Sequence, residues 1–445
     1  MGNPYLEGNY APVREEVTVT DLEVTGTLPE ELTGRYLRNG PNPVVDPDPD
    51  AYHWFIGDGM VHGLRLDGGR ASWYRNRWVR SAAVADALGE PQHPGPVHGD
   101  MDFAPNTNVI GHGGRTFAIV EAGSRPYELT DELDTVGPCD FDGTLEGGYT
   151  AHPKLDPTTG ELHAVSYFWG WGNKVQYTVI DPSNQVTTSR FVDTTGSPML
   201  HDMSLTSRYA VVYDLPVVFD LDAAMAGTAM PYFWTDDYPA RVGLVPRAGG
   251  DVRWIDVDPC YVFHPMNAYD DGDDVVIDLV HWNRMFDDRG EHQGPWGNVS
   301  SLRRWTIDTA AGKVREELRD DRKQEFPRVD ERLVGGRHRF GYAASEIGEG
   351  ADARGGIIKH DMDKGTSEVV DFGPGSGQNE AVFVPRSADA AEDDGWLLCL
   401  TYDAASDRSN LDIRHAQDLA GGPVATVHLP VRVPFGFHGN WVADA

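Results

Sequence analysis

QYTVIDPSNQVTTSRFV, residues 176–192, carries the local rule on which this chain is built. Two runs alternating apolar and polar residues flank Asp181-Pro182. An Asp at a turn hydrogen-bonds its own backbone two residues on, so the segment reads as a β-hairpin. The arrangement recurs as GLRLDGGRASWY (63–74) around Asp67, PKLDPTTGELHAVSY (153–167) around Asp156, RRWTIDTAAGKVREE (303–317) around Asp308 and IIKHDMDKGTSEVVDF (357–372) around Asp361. Between these hairpins, YAVVYDLPVVFDL (209–221) and DDVVIDLVHW (273–282) read as buried strands. Long amphipathic helical patterns are absent. A hairpin unit repeated without crossover helices predicts an all-β propeller of roughly seven blades, each of about 60 residues. Residues 1–29 are expected to form an N-terminal extension and 30–445 a single propeller domain. Two stretches look inserted as cap elements, 130–143 and 222–243. The second crowds Met225, Met230, Tyr232, Phe233 and Trp234 together. It reads as a helical or loop cap over one propeller face, or as an apolar substrate entrance that touches a membrane surface.

Composition narrows the function. The 445 residues are 40% apolar, with 12 Trp, 17 Tyr and 16 Phe, enough for a large core. Fifty Gly and 30 Pro point to many turns. Asp and Glu outnumber Lys and Arg by 70 to 37, for a net charge of -33. Such a field repels phosphate backbones, which excludes nucleic acid as a partner. Cys139, Cys260 and Cys399 are too few and too far apart for a disulfide framework, so a reducing, cytoplasmic setting is expected. MGNPYLEGNYAPVREEV at the start lacks the basic and apolar regions of a secretion signal, and no run approaches 18 apolar residues. No obligate protein partner is indicated.

Four of the 16 histidines share a grammar. His152 (GGYTAHPKLDP), His201 (SPMLHDMSL), His264 (YVFHPMNAY) and His438 (PFGFHGNWV) each border an apolar strand next to a residue that interrupts strand pairing. That places an imidazole at a strand end. Four neutral imidazoles converging on one point would accept iron(II), copper, nickel or zinc and would serve hard, carboxylate-seeking ions poorly. His53, His62, His163, His281 and His338 are read as ordinary hydrogen-bonded or surface residues, and His93, His98 and His112 as loop residues. No H-E-x-x-H, C-x-x-C, phosphate loop or dinucleotide fingerprint is present, so NAD(P)H is not expected as a cofactor.

These segments resemble the carotenoid cleavage oxygenase family. The resemblance is carried by LTGRYLRNGPNP (32–43), WFIGDGMVHGLRL (54–66), the AIVEAG segment around Glu121, YTAHPKLDPTTGEL (149–162), MLHDMSLTSRYAVVYDLP (199–216), FHPMNAYDDGDDVVIDLV (263–280), EFPRVD (325–330), FVPR (383–386) and PFGFHGNW (434–441). It implies a seven-bladed propeller with a helical cap and one non-haem Fe(II) on the axis, held by His152, His201, His264 and His438. It also implies that Glu121, Glu325 and Glu380 hold the ligating histidines. A carboxylate on the far ring nitrogen fixes the tautomer and strengthens the ligand. In chain order the seven residues are separated by 31, 49, 63, 61, 55 and 58 positions, mostly one blade length.

The implied activity is O2-dependent cleavage of a C=C bond of a carotenoid or apocarotenoid to aldehyde or ketone products. Where the cut falls would be set by an apolar tunnel, for which Phe168, Trp169, Trp171, Phe263 and Phe437 are the candidates, with Trp54, Phe55, Tyr149 and Phe435 nearby in the matching segments. Three positions depart from the family pattern. Ala381 follows Glu380 where proline is common, Met203 replaces a frequent aromatic, and Val120 precedes Glu121 where stilbene-cleaving relatives carry a lysine for a phenolic oxygen. The last disfavours a stilbenoid substrate. The alternatives are a stilbenoid-cleaving dioxygenase of the same family, a zinc-dependent propeller hydrolase and a metal-free interaction scaffold.

Overall fold

The computed structural model describes residues 3–103, 105–286, 298–347, 354–373, 376–377 and 380–444. Seven antiparallel sheets follow one another along the chain as the blades of a propeller. Six have first strands supplied in sequence order: Asn108–His112, Lys154–Leu155, Ser204–Leu205, Pro265–Asp271, Gln324–Arg328 and Ala381–Pro385. The first blade takes its equivalent strand from the far end of the chain. Gly439–Ala443 pairs with Gly34–Pro41, from Arg38 opposite Gly439 to Gly34 opposite Ala443. First strands of adjacent blades touch around the ring, which makes them the inner wall.

The Asp-centred hairpins form as read. In the 176–192 segment, Asp181 Oδ1 accepts from the backbone N–H groups of Ser183 and Gln185, each at 2.9 Å. Strands Lys174–Ile180 and Val186–Asp193 then pair across this turn. The five hairpins fall in four blades, because those around Asp156 and Asp181 belong to the same sheet.

Two boundaries differ from the sequence reading. Within the expected extension 1–29, Thr18–Thr20 pairs with Ala71–Trp78 and Val24–Gly26 with Pro423–His428, so this segment supplies the outermost strands of the first and last blades. Within 130–143, expected as an inserted cap loop, Thr135–Pro138 is the fourth strand of the second blade. These strands are only three or four residues long, too short for an apolar alternation to betray them. The 222–243 region behaves differently. Between blade strands Tyr209–Asp214 and Arg241–Pro246 the chain leaves the sheet to form a two-stranded hairpin, Val217–Phe219 with Tyr232–Trp234, and the short helix Leu221–Met225.

The seam is tightly packed. A Cβ added at Gly40 would lie 2.6 Å from the Gly436 Cα, so the two backbones touch. Phe437 and His438 follow at once, and the Phe437 N–H donates to the Asn39 carbonyl at 3.0 Å. Ring closure therefore fixes the position of His438.

His62, His163 and His360 are among the buried histidines of the blade strands. The Nδ1 atoms of His62 and His163 are each 2.8 Å from a tyrosine hydroxyl, that of Tyr74 and Tyr177 respectively. His360 Nε2 donates to Gln324 Oε1 at 2.8 Å. Burial pulls the pKa of His62 down to about 3 and those of His163 and His360 to about 4. The unfolded imidazoles take up protons near pH 6.5, well before the folded ones do. Their contribution to stability is thus complete above pH 6.5 and lost as pH falls toward 4, at up to about 1.4 kcal/mol per pH unit for each histidine. Urea midpoints of metal-free protein should fall steadily from pH 7 to pH 5; a rise over that interval would contradict the assignment.

Candidate metal centre

His264, Glu380 and His438 each stand directly before a first strand, His152 two residues and His201 three residues before one, and Glu325 within one. The near-regular spacing in the sequence follows from this, since each blade delivers one side chain to the ring at the same point of its turn. Glu121 is the exception. It lies two residues beyond Arg115–Ile119, the second strand of its blade, which accounts for the short gap of 31 to His152. At the equivalent place before that blade's first strand is Thr107, whose carbonyl accepts from the His438 N–H at 3.1 Å.

The four histidines meet. Their potential ligand atoms all lie within 4.8 Å of one another, and all four residues are buried. His201 Nε2 is 3.0 Å from His152 Nε2 and 3.1 Å from His264 Nε2. Three rings are held from behind. His201 Nδ1 is 2.8 Å from Glu121, His264 Nδ1 2.6 Å from Glu325, and His438 Nδ1 3.0 Å from Glu380. A carboxylate partner places the proton on Nδ1 and leaves an Nε2 lone pair pointing inward. The inward lone pairs of the two carboxylate-held rings His201 and His264 face one another at 3.1 Å and repel, so the donor set calls for a cation. The residues fit a resident metal ion.

Each glutamate is itself anchored. Glu325 Oε1 accepts from Trp282 Nε1 at 2.8 Å, and Tyr167 donates its hydroxyl proton to Glu121. Glu380 is the most enclosed, taking the Gly439 N–H at 2.8 Å and Arg328 Nη1 at 3.1 Å. Burial opposes its charge, but Arg328 and His438 outweigh that and hold its carboxyl well below the usual range. Burial likewise pulls His438 down to about 3 against the attraction of Glu380, and lowers His152 strongly with the other three imidazoles adding to the effect. These two remain neutral, as metal ligands must. For His201, burial is overcome by the charge and hydrogen bond of Glu121, and its pKa is raised; a cation at Nε2 would take the place of that proton.

The centre has two unlike sides. Residues following the histidines along the first strands line a cavity of about 100 Å³ with a polar wall that includes Asn108, Lys154, Asp202, Arg328 and Asn440. The residues preceding two of them, Phe263 before His264 and Phe437 before His438, are aromatic. The Phe263 ring lies 5.2 Å from that of His201, and Phe437 packs on Trp54 at 4.5 Å and Phe55 at 5.6 Å. Of the five tunnel candidates, Phe263 and Phe437 thus adjoin the histidines. Phe168, Trp169 and Trp171 cluster farther out. Phe168 and Trp171 pack against His98 at 5.0 and 5.5 Å, and the exposed Trp169 stacks on Phe219 of the hairpin at 5.6 Å. Sequence reasoning missed Phe326, whose ring is 5.3 Å from that of His264 and 5.1 Å from that of His438. Its φ of +51° is uncommon for a bulky side chain and lets its N–H donate to Glu325 Oε2 at 2.6 Å. Its position after Glu325 was the only available signal.

An axial four-histidine centre in a seven-bladed propeller defines a class of metal-dependent oxygenases. Residues 10–443 match the family described as retinal pigment epithelial membrane protein, and the chain belongs to that carotenoid oxygenase family. It is 50% identical to a carotenoid cleavage oxygenase of Mycobacterium tuberculosis, over 99% of this chain and 97% of the relative. It is 31% identical to an isoeugenol monooxygenase of Pseudomonas nitroreducens, over 99% and 98%. Among solved structures, a Pseudomonas brassicacearum lignostilbene dioxygenase superimposes with a TM-score of 0.90 at 29% identity, covering 99% of this chain and 98% of that one. A cobalt-substituted Synechocystis ACO gives 0.88 at 29% identity, with 97% of each chain covered.

The different surroundings of the glutamates order their importance. Glu325→Gln should lower metal affinity about 10–100-fold. Glu380→Gln should do the same and also cost about 1–3 kcal/mol of stability, because it takes from the buried Arg328 one of its two anionic partners and leaves only Glu331. Chelator competition and urea unfolding separate the two effects; equal stability losses in the two variants would refute the ordering.

Proposed function

We propose that His152, His201, His264 and His438 hold one iron(II), and that the protein uses O2 to split a C=C bond of a carotenoid or apocarotenoid into two carbonyl products. The observation that carries this reading is the buried four-imidazole cluster, backed by three glutamates, in a chain half identical to a carotenoid cleavage oxygenase along nearly its whole length. Bound iron(II) supplies the redox chemistry that lets O2 react with an alkene. The protein's own residues do the rest. Glu121, Glu325 and Glu380 orient the imidazoles, while Phe263 and Phe437 present an apolar wall that excludes water and touches a polyene by dispersion. A hydrocarbon offers no polar handle, so these walls and the path leading to them select the bond that is cut.

The fold likeness to a lignostilbene dioxygenase favours a stilbenoid as the second reading. Val120, buried beside Glu121, offers no cation for a phenolic oxygen and weighs for the polyene. The helix Leu221–Met225 exposes Leu221 (57%) and Met225 (79%), and Trp169 (42%) stacks on the hairpin that carries it. This apolar rim supports peripheral contact with a membrane, the natural store of such substrates.

Purified protein should contain about one iron per chain and convert members of a carotenoid and apocarotenoid panel to aldehydes identifiable by mass, with stilbenes untouched. Phe263→Ala should lower kcat/KM for the polyene about 10–200-fold. Zinc in place of iron, or turnover of stilbenes alone, would overturn the proposal. In a vesicle assay, Leu221→Asp with Met225→Asp should reduce cosedimentation with neutral phosphatidylcholine about tenfold; unaltered binding would remove this rim from the contact.

A further inference from the structure

His152 differs from the other three histidines. Among the described residues no glutamate stands behind its Nδ1, and the carboxylate that faces it is Asp202, with Oδ2 at 3.8 Å, too far for a hydrogen bond but close enough to favour a proton on Nδ1. The Asp202 side chain is only 2% exposed and its charge is already shared. Lys154 Nζ lies 2.8 Å from Oδ1 and 2.9 Å from Oδ2, and the Met203 N–H donates to Oδ1 at 2.6 Å. His152, Lys154 and Asp202 all line the polar axial cavity. The ion pair also joins two blades, since Lys154 opens the first strand of one and Asp202 precedes the first strand of the next.

We propose that the Lys154–Asp202 pair is the positioning unit of His152, standing where the glutamates stand for the other three histidines but attenuated by the lysine charge. A glutamate hydrogen-bonded to Nδ1 pushes electron density toward Nε2 and strengthens the ligand. Asp202, divided between an ammonium group and a more distant imidazole, pushes less. His152 is then the weakest donor of the four, and Lys154 is the residue that keeps it weak. The inference rests on the reading of the four histidines as a metal centre.

The two partners should act in opposite directions. With protein loaded with iron(II) and challenged by a ferrous chelator, Asp202→Asn should release iron about 10–100-fold faster than the unaltered chain. Lys154→Met removes a positive charge near the ion and turns the full carboxylate charge toward Nδ1, so it should release iron roughly tenfold more slowly. The double variant Lys154→Met/Asp202→Asn buries no unpaired charge and should behave as Asp202→Asn does. Loading with cobalt(II) gives a second readout, a shifted visible absorption band in both variants that lack the Asp202 charge. A purely structural ion pair would lower the thermal midpoint of the metal-free variants and leave release rates and the cobalt spectrum unchanged. Release within twofold of the unaltered chain from folded Asp202→Asn and double variants would overturn the proposal, and faster release from Lys154→Met would overturn the attenuating role. Failure of the unaltered chain to retain either metal would instead defeat the metal-centre reading itself.

Discussion

The hydrogen bond from an imidazole Nδ1 to a buried glutamate is the interaction on which this architecture depends. It is made three times, at His201, His264 and His438, and each time it turns a lone pair toward the axis. Without the carboxylates the rings could adopt either tautomer and donate to one another, which would give a satisfied but inert polar cluster. With them, the Nε2 atoms of His201 and His264 stand 3.1 Å apart, each turning a lone pair inward. The blades hold this unfavourable arrangement open, because every participating residue is tied to a strand that is itself paired.

The ring supplies that rigidity through its closure. A propeller whose last blade did not meet its first would leave the His438 segment free to drift, and with it Glu380 and Arg328. The Gly40–Gly436 contact, the pairing of Gly439–Ala443 with Gly34–Arg38 and the bond from the His438 N–H to the Thr107 carbonyl lock three blades at the site. The outer strands Thr18–Thr20 and Val24–Gly26 lie on the first and last blades, so the start of the chain spans the same seam from outside.

Much of this was legible in the sequence, for identifiable reasons. Asp at a tight turn and alternation on either side are local signals, and Asp181 and its counterparts made the hairpins readable. The four histidines stood out because each interrupts a strand pattern at its end. The glutamates became visible only through family resemblance, since an isolated Glu in a strand usually faces solvent. Three kinds of feature were hidden. Short polar edge strands such as Thr135–Pro138 have no apolar period. Strain such as the positive φ of Phe326 has no compositional mark in a residue that rarely adopts it. The pairing of Lys154 with Asp202 depends on which blades adjoin, and only the ring supplies that. The tunnel candidates divided by the same logic: Phe263 and Phe437 adjoin histidines in the chain and in space, whereas Phe168, Trp169 and Trp171 follow a hairpin whose direction the sequence does not give.

The closing strand also imposes an order of events during synthesis. His438 and the strand after it leave the ribosome later than every other strand of the ring, so a nascent chain displays at most three of the four imidazoles, on blades that have not yet closed. An ion meeting that partial set finds neither the fourth nitrogen nor a sealed cavity. The four imidazoles come together only once the polypeptide has been threaded back on itself and the last strand has joined the first blade.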